Sequence, residues 1–152
     1  MPVRCRLACE ADLPVLNGFQ RGIIRAEECY IPRRKQTDYQ YYDLALLLND
    51  PDTRIVVAEH DATLIGSGYV QKRASKAYLE HAFHGYVGFI FTRPEFRGQG
   101  VASAVLDALA DQARNMGLDE LRLDVFADND TAIRTYERAG YQRNTLEMRR
   151  PL

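Results

Sequence analysis

Apolar residues recur along the chain in two rhythms, and the changes between them set the order of elements. Val3 to Ala8 alternates and predicts a first strand, after which Glu10-Ala11-Asp12 opens a stretch with Leu13, Leu16, Phe19 and Ile23 at helical spacing. Pro14 falls in the first turn of that helix, where proline is tolerated. Tyr41, Leu44, Leu47 and Leu48 predict a second helix from about Asp38 to Leu48, stopped by Asn49-Asp50-Pro51-Asp52, and the intervening Glu27 to Gln36 is polar and irregular. Arg54 to Glu59 and Leu64 to Lys72 read as the two arms of an antiparallel hairpin around Asp61-Ala62-Thr63. Tyr86 to Thr92 is a further strand ended by Pro94, which cannot continue a ladder.

Beyond Pro94 the period lengthens. Val101, Val105, Leu109, Ala113 and Met116, flanked by Ala102, Leu106 and Ala110, predict the longest amphipathic helix, closed by Gly117. Leu121 to Phe126 alternates again, so strand, helix and strand here should form a right-handed parallel unit. Asn129 caps a last helix from Asp130 to Ala139, which ends at Gly140, and Tyr141 to Met148 predicts a final strand. The order β-α-α-β-β-β-α-β-α-β implies an α+β fold: a mixed, mostly antiparallel sheet of about six to seven strands with helices on both faces.

Composition narrows the classes. With 20 Lys+Arg against 21 Asp+Glu in 152 residues, the formal net charge of −1 offers no general attraction to nucleic acid or anionic lipid, so neither is expected as a partner. No repeat, low-complexity tract or Gly/Ser linker divides the chain, which is read as one domain over residues 1–152. No run approaches the ~20 apolar residues of a membrane span, and the opening Met1-Pro2-Val3-Arg4-Cys5-Arg6 lacks a signal core, so a cytoplasmic location is expected. Cys5, Cys9 and Cys29 form neither a Cys-x-x-Cys pair nor an even set, which points to reduced thiols and no metal site.

The segment richest in chemistry is Thr92-Arg93-Pro94-Glu95-Phe96-Arg97-Gly98-Gln99-Gly100-Val101-Ala102-Ser103, where a strand passes into the longest helix. Glycines at 98 and 100 let the backbone turn sharply and bring an anion to the unpaired N–H groups of the helix's first turn, although glycines alone could simply make a tight turn. Arg97-Gly98-Gln99-Gly100-Val101-Ala102 resembles the Gln/Arg-x-x-Gly-x-Gly/Ala pyrophosphate loop of the GCN5-related N-acetyltransferase (GNAT) superfamily. Downstream, Asn129-x-x-Ala132-Ile133-x-x-Tyr136-x-x-x-Gly140-Tyr141 is similar to that family's second signature.

The resemblance implies an acetyltransferase that takes acetyl-CoA as co-substrate and lets a primary amine attack it directly, without a metal. The coenzyme's pantetheine arm would lie between the strands at 86–92 and 121–126, along the backbone of Ile90, Phe91 and Thr92. Its diphosphate would meet Arg97, Gly98, Gln99, Gly100, Val101, Ala102 and Ser103, with Asn129 as a further contact. Tyr136 matches the tyrosine that protonates the departing thiolate, and Asp124 a position where some members carry a catalytic carboxylate. Without the resemblance, Asn129 reads as a helix cap, Tyr136 as core and Asp124 as the partner of a surface cation such as Arg122.

Many members carry a carboxylate on the strand before the loop, where this chain has Gly88-Phe89-Ile90, so the base has no clear owner; Glu80, His81 and His84 are further proton carriers nearby. Family acceptors usually lie against the region between the first two helices, here Glu27, Glu28, Tyr30 and Tyr39-Gln40-Tyr41-Tyr42, which suits a cationic amine. Arg33-Arg34-Lys35 beside them could instead draw an acidic substrate or the coenzyme's phosphates. A small-molecule or peptide amine is thus expected as partner, and the family allows a homodimer through its terminal strands. The competing readings are a non-catalytic acyl-CoA sensor of the same fold and a dinucleotide oxidoreductase. The latter would need a third glycine where Ser103 stands, and a second nucleotide-binding half for which too little chain remains.

Overall fold

Four antiparallel hairpin-ordered strands and one short parallel strand make the sheet of the computed structural model, which describes residues 1–152. The strands are β1 (Arg4–Leu7), β2 (Thr53–His60), β3 (Thr63–Ala74), β4 (Phe83–Thr92) and β5 (Leu121–Arg122), and they lie side by side in chain order. Helices α1 (Leu13–Glu27) and α2 (Leu44–Asn49) come between β1 and β2, α3 (Val101–Asn115) joins β4 to β5, and α4 (Asp130–Arg138) follows β5.

The alternation within β2 and β3 feeds two cores, one on each face of the sheet. Val56, Ala58, Ile65 and Val70 pack under Val101, Val105, Leu106 and Leu109 of α3. Ile55, Val57, Leu64 and Tyr69 pack under Leu16, Phe19 and Ile23 of α1 and Leu44 of α2. Helix α1 is tied to β1 at its start, where the Arg6 guanidinium donates to both carboxylate oxygens of Asp12 at 2.8 and 3.0 Å.

Three expectations need correction. The helix expected from about Asp38 covers only Leu44–Asn49, because Asp43 caps it through Leu46 N–H and the preceding residues are held off the helical path. Buried Gln20 does this holding: its Oε1 accepts the N–H groups of Tyr41 and Tyr42, both at 2.8 Å. Tyr141 to Met148 forms no strand, and Leu146 and Met148 are exposed, so the sheet has five strands rather than about six to seven. Finally, β4 begins at Phe83, which puts His84 inside the strand.

Two irregularities, one on each side of β4, position the site. Strand β5 pairs with β4 only through Gly85–Leu121 and Tyr86–Arg122, and beyond these the chains diverge. Opposite β3 the register of β4 slips by one residue between Tyr69–Gly88 and Ser67–Phe91, which marks a β-bulge. Phe89 in that bulge has φ +60° although it is bulky and 1% exposed, a strained conformation of the kind that gathers at functional sites.

Candidate active site

Because β5 turns away after Arg122, the edge of β4 over residues 87–92 has no ladder partner on that side, and it includes Ile90, Phe91 and Thr92. A cavity of about 300 Å³ occupies the wedge. Gly88, Phe89 and Ile90 form its floor, Leu123, Asp124 and Phe126 one wall, Glu27, Tyr41 and Tyr42 the other, and Tyr136 reaches in from α4. Phe91 turns its ring the other way, onto Phe19 of α1 with centroids 4.7 Å apart.

Past Thr92 the chain makes a short 3-10 turn at Pro94–Phe96 and enters α3 through Gly98 (φ +74°) and Gly100 (φ +84°). Both values lie where an L side chain is strained, and no atom lies within 4 Å of where either Cβ would be. Gly100 is the N-cap of α3 and carries no side chain to occupy the first-turn N–H groups of Val101, Ala102 and Ser103. Those donors therefore face open space at the positive end of a 15-residue helix, a fitting cradle for a diphosphate. Val101 contributes only backbone, since its side chain is in the core. The Arg97 Nε donates to Thr92 O at 3.3 Å and the Gln99 amide to Glu95 O at 3.2 Å, so both side chains brace the loop itself.

On the opposite wall the chemistry sits in side chains. Glu27, at the last turn of α1, is driven above the usual carboxylate range by burial in the cavity wall, only partly offset by the Tyr41 phenol. Asp124 is exposed, and instead of pairing with Arg122 its Oδ2 accepts the Tyr86 hydroxyl at 2.9 Å. Arg122 turns to Glu120 at 2.6 Å. Tyr136 is pushed up to about 12 by burial, with Glu27 and Tyr141 adding to the effect. Tyr30 stacks on Phe126, centroids 6.0 Å apart, which joins the turn after α1 to the far wall.

The remaining candidates separate. Asn129 caps α4, accepting Ala132 N–H at 3.3 Å. His81 and His84 do not line the cavity: both Nδ1 atoms meet Ser75 Oγ, at 2.8 and 3.1 Å, and His81 Nε2 lies 3.1 Å from Glu120. Glu80 is exposed in the loop before β4, and Arg33 to Lys35 lie in the irregular segment between α1 and α2. No group of three or more His, Cys, Asp or Glu side chains is placed to hold a metal ion, and no helix is long and apolar enough to cross a membrane.

Sequence reasoning passed over Gln20, Ser67 and Phe89. Gln20 carried a legible signal, a polar residue on the apolar face between Leu16 and Ile23. The bulge carried none, because nothing in Gly88-Phe89-Ile90 marks a positive φ at a phenylalanine. A Cβ at position 88 would lie 2.7 Å from the Tyr69 ring, so the space above that glycine is filled by a phenol.

Comparison with known proteins bears on the fold and the family. The Bacillus subtilis (strain 168) protein YdgE, an uncharacterized N-acetyltransferase, is 42% identical over 57 residues, a stretch that is 38% of this chain and 36% of that protein. A predicted acetyltransferase from Clostridium acetobutylicum, solved with acetyl-CoA, shares the fold at TM-score 0.73 and 18% identity, over 97% of this chain and 96% of that one. The aminoglycoside acetyltransferase meta-AAC0020 from an uncultured soil metagenomic sample, solved with sisomicin, superposes at TM-score 0.73 and 16% identity, over 99% and 96% of the two chains. Residues 22–141, which hold the wedge, the glycine turn and Tyr136, match the acetyltransferase (GNAT) family, and the chain belongs to that family.

Proposed function

We propose that the protein transfers the acetyl group of acetyl-CoA to a primary amine by direct attack, acting in the cytoplasm on a small molecule or a peptide. The observation that carries this reading is the wedge between β4 and β5 running toward an uncapped glycine turn. A thioester arm can lie along the unpaired edge of β4, over Ile90, Phe91 and Thr92, while its diphosphate sits on the N–H groups from Gly98 to Ser103. Asn129 stands at the start of α4 as a further contact.

The amine must lose a proton before it attacks. For a lysine-like amine of pKa about 10.4, the neutral form at pH 7 costs about 4.6 kcal/mol, so a base beside it matters. Glu27 takes that role, since a carboxylate lifted by burial accepts a proton more readily near neutral pH. Asp124, steadied by the Tyr86 hydroxyl, faces the same cavity and holds the incoming cation in register. Glu27 accepts the ammonium's proton and releases it to solvent; the neutral nitrogen then bonds to the acyl carbon and gives its second proton to Glu27. As the C–S bond breaks with its electron pair on sulfur, Tyr136 donates its proton to the thiolate and is reprotonated from solvent. With a pKa near 12, Tyr136 remains protonated until the thiolate forms. No cysteine lines the cavity to form an acyl-enzyme.

The test is an acceptor screen with purified protein and acetyl-CoA, read by thiol release and by mass spectrometry of the products. It should span polyamines, amino acids, peptide N-termini and aminoglycosides, the last because a solved structure of the same fold acts on them. Amine-dependent thiol release with an acetylated amine product is expected. Tight coenzyme binding with no release above the uncatalysed rate on any amine would overturn the enzyme reading in favour of an acyl-CoA sensor.

A further inference from the structure

Both backbone polar groups of the strained residue in the β4 bulge are bonded. Phe89 C=O accepts the hydroxyl of fully buried Ser67 at 3.0 Å. Phe89 N–H donates to the Tyr42 hydroxyl oxygen at 3.3 Å, longer than the 2.9–3.0 Å usual for such bonds. A weak bond at a strained, functionally placed amide is one that a better acceptor can replace.

Tyr42 reaches that amide from a segment with no ladder or helix of its own, so something else must seat it. Gln20 does, since its side chain is 2% exposed and its Oε1 accepts the backbone N–H groups of both Tyr41 and Tyr42 at 2.8 Å. Burying an amide on the apolar face of α1 would be costly without those bonds. The Tyr42 ring is boxed as well, edge-on to Tyr41, Tyr69 and Phe89 with centroids 5.8, 5.6 and 5.5 Å away. Burial among these rings raises the phenol's pKa, so the hydroxyl keeps its proton at neutral pH. The oxygen accepts Phe89 N–H, but its hydrogen is given to no acceptor in the protein, and the residue lines the cavity beside Gly88 and Phe89.

We propose that Tyr42 is a second hydrogen-bond donor to the acyl oxygen, working with Phe89 N–H. This rests on the acyl-transfer reading of the cavity given above. In the unliganded site the phenol oxygen stands where the acyl oxygen belongs and satisfies the bulge amide. When the thioester oxygen takes over Phe89 N–H, the phenol swings aside and turns its hydrogen toward that oxygen. As the amine's electron pair forms the new C–N bond, the C=O π pair moves onto oxygen, and the two donors hold the resulting negative charge. No proton leaves Tyr42, and the pair returns as the C–S bond breaks. Once the coenzyme is bound, both donors stand in place before the amine attacks, the condition under which such stabilisation is largest. Gln20, which touches no substrate, is the positioning residue.

The test compares wild type with Tyr42→Phe, using acetyl-CoA labelled with ¹³C at the carbonyl. Isotope-edited infrared spectra of the bound ligand should show the carbonyl band at lower frequency in wild type than in Tyr42→Phe. The variant's kcat should fall on the order of 10²-fold while its Kd for acetyl-CoA stays within about threefold. Coincident bands, a kcat within about threefold of wild type, or a loss confined to coenzyme affinity would overturn the proposal, the last marking Tyr42 as a mere latch on the bulge. If Tyr42→Phe fails to fold, Gln20→Met takes its place; it keeps the phenol but unseats it, and the same band shift and kcat loss are expected. A wild-type protein that shows no bound carbonyl band sinks the acetyl-CoA reading itself, whereas a band that ignores Tyr42 sinks only this inference.

Discussion

The two walls of the cleft are built by different means. The wall formed by β4 and the start of α3 uses the main chain: an unpaired strand edge, two glycines at φ +74° and +84°, and the first-turn N–H groups of a helix. The facing wall uses side chains that meet from distant parts of the chain: Glu27 from α1, Tyr41 and Tyr42 from the segment before α2, and Asp124 from beyond β5. Main-chain donors serve a constant partner well, since they change little with sequence. A wall of side chains can be refitted to a new acceptor without disturbing the sheet.

The largest effect should come from the side-chain wall. Glu27→Gln keeps the shape and removes the base, and kcat/KM should fall by about 10²-fold or more at neutral pH while acetyl-CoA affinity is kept. In wild type the rate should rise with pH through the Glu27 carboxyl, so the acid limb lies above the ordinary carboxylate range, and in Glu27→Gln that limb should vanish. Stability should move the opposite way. A carboxyl whose folded pKa is raised contributes stability below its unfolded pKa, and that contribution is lost as pH rises through the folded value. At neutral pH the ionised carboxylate is a burden, so Glu27→Gln should melt at or above the wild-type temperature. A variant that is both slow and less stable would mean that Glu27 holds the fold together and does not carry the proton.

Next in size is the glycine turn. Gly100→Ala places a Cβ at φ +84°, a strain of roughly 1–2 kcal/mol, and relief of that strain would swing the first-turn N–H groups off line. Acetyl-CoA Kd, measured by calorimetry, should rise about tenfold, with kcat at saturating coenzyme nearly unchanged. A drop in kcat at unchanged Kd would place the turn's role in the chemistry and erase the distinction between the walls.

The same contrast explains what the sequence disclosed. Where function rests on the main chain, it leaves a local mark: Gly98 and Gly100 before an apolar period of 3.6 located the turn, the helix and the face it buries. Where function rests on assembled side chains, the mark is scattered. Tyr42 reaches Phe89 across 47 positions and Tyr86 reaches Asp124 across 38, distances over which no periodicity speaks. The missing start of the second helix has the same origin, since its residues have the apolar spacing of a helix and lose it to a single buried amide 21 and 22 positions away. The final strand failed differently. Tyr141 to Met148 has four polar residues between Tyr141 and Leu146, so it offers no continuous apolar face to bury, and the segment joins no strand of the sheet.

The smallest effect is expected one residue from the second glycine and separates the two walls most sharply. Gln99 is exposed, and its amide donates to the carbonyl of Glu95 within the same loop, 3.2 Å away. If the diphosphate is held by main-chain N–H groups, Gln99→Ala removes only a brace on an already turned loop. An exposed hydrogen bond of this kind lies at the low end of the usual range, about 0.5 kcal/mol, so acetyl-CoA Kd should change by less than about threefold. Measured beside Gly100→Ala under identical salt, the neighbouring substitutions should differ clearly, the one that adds a methyl group weakening binding more than the one that deletes an amide. Equal losses would mean that side chains grip the phosphates on this wall too.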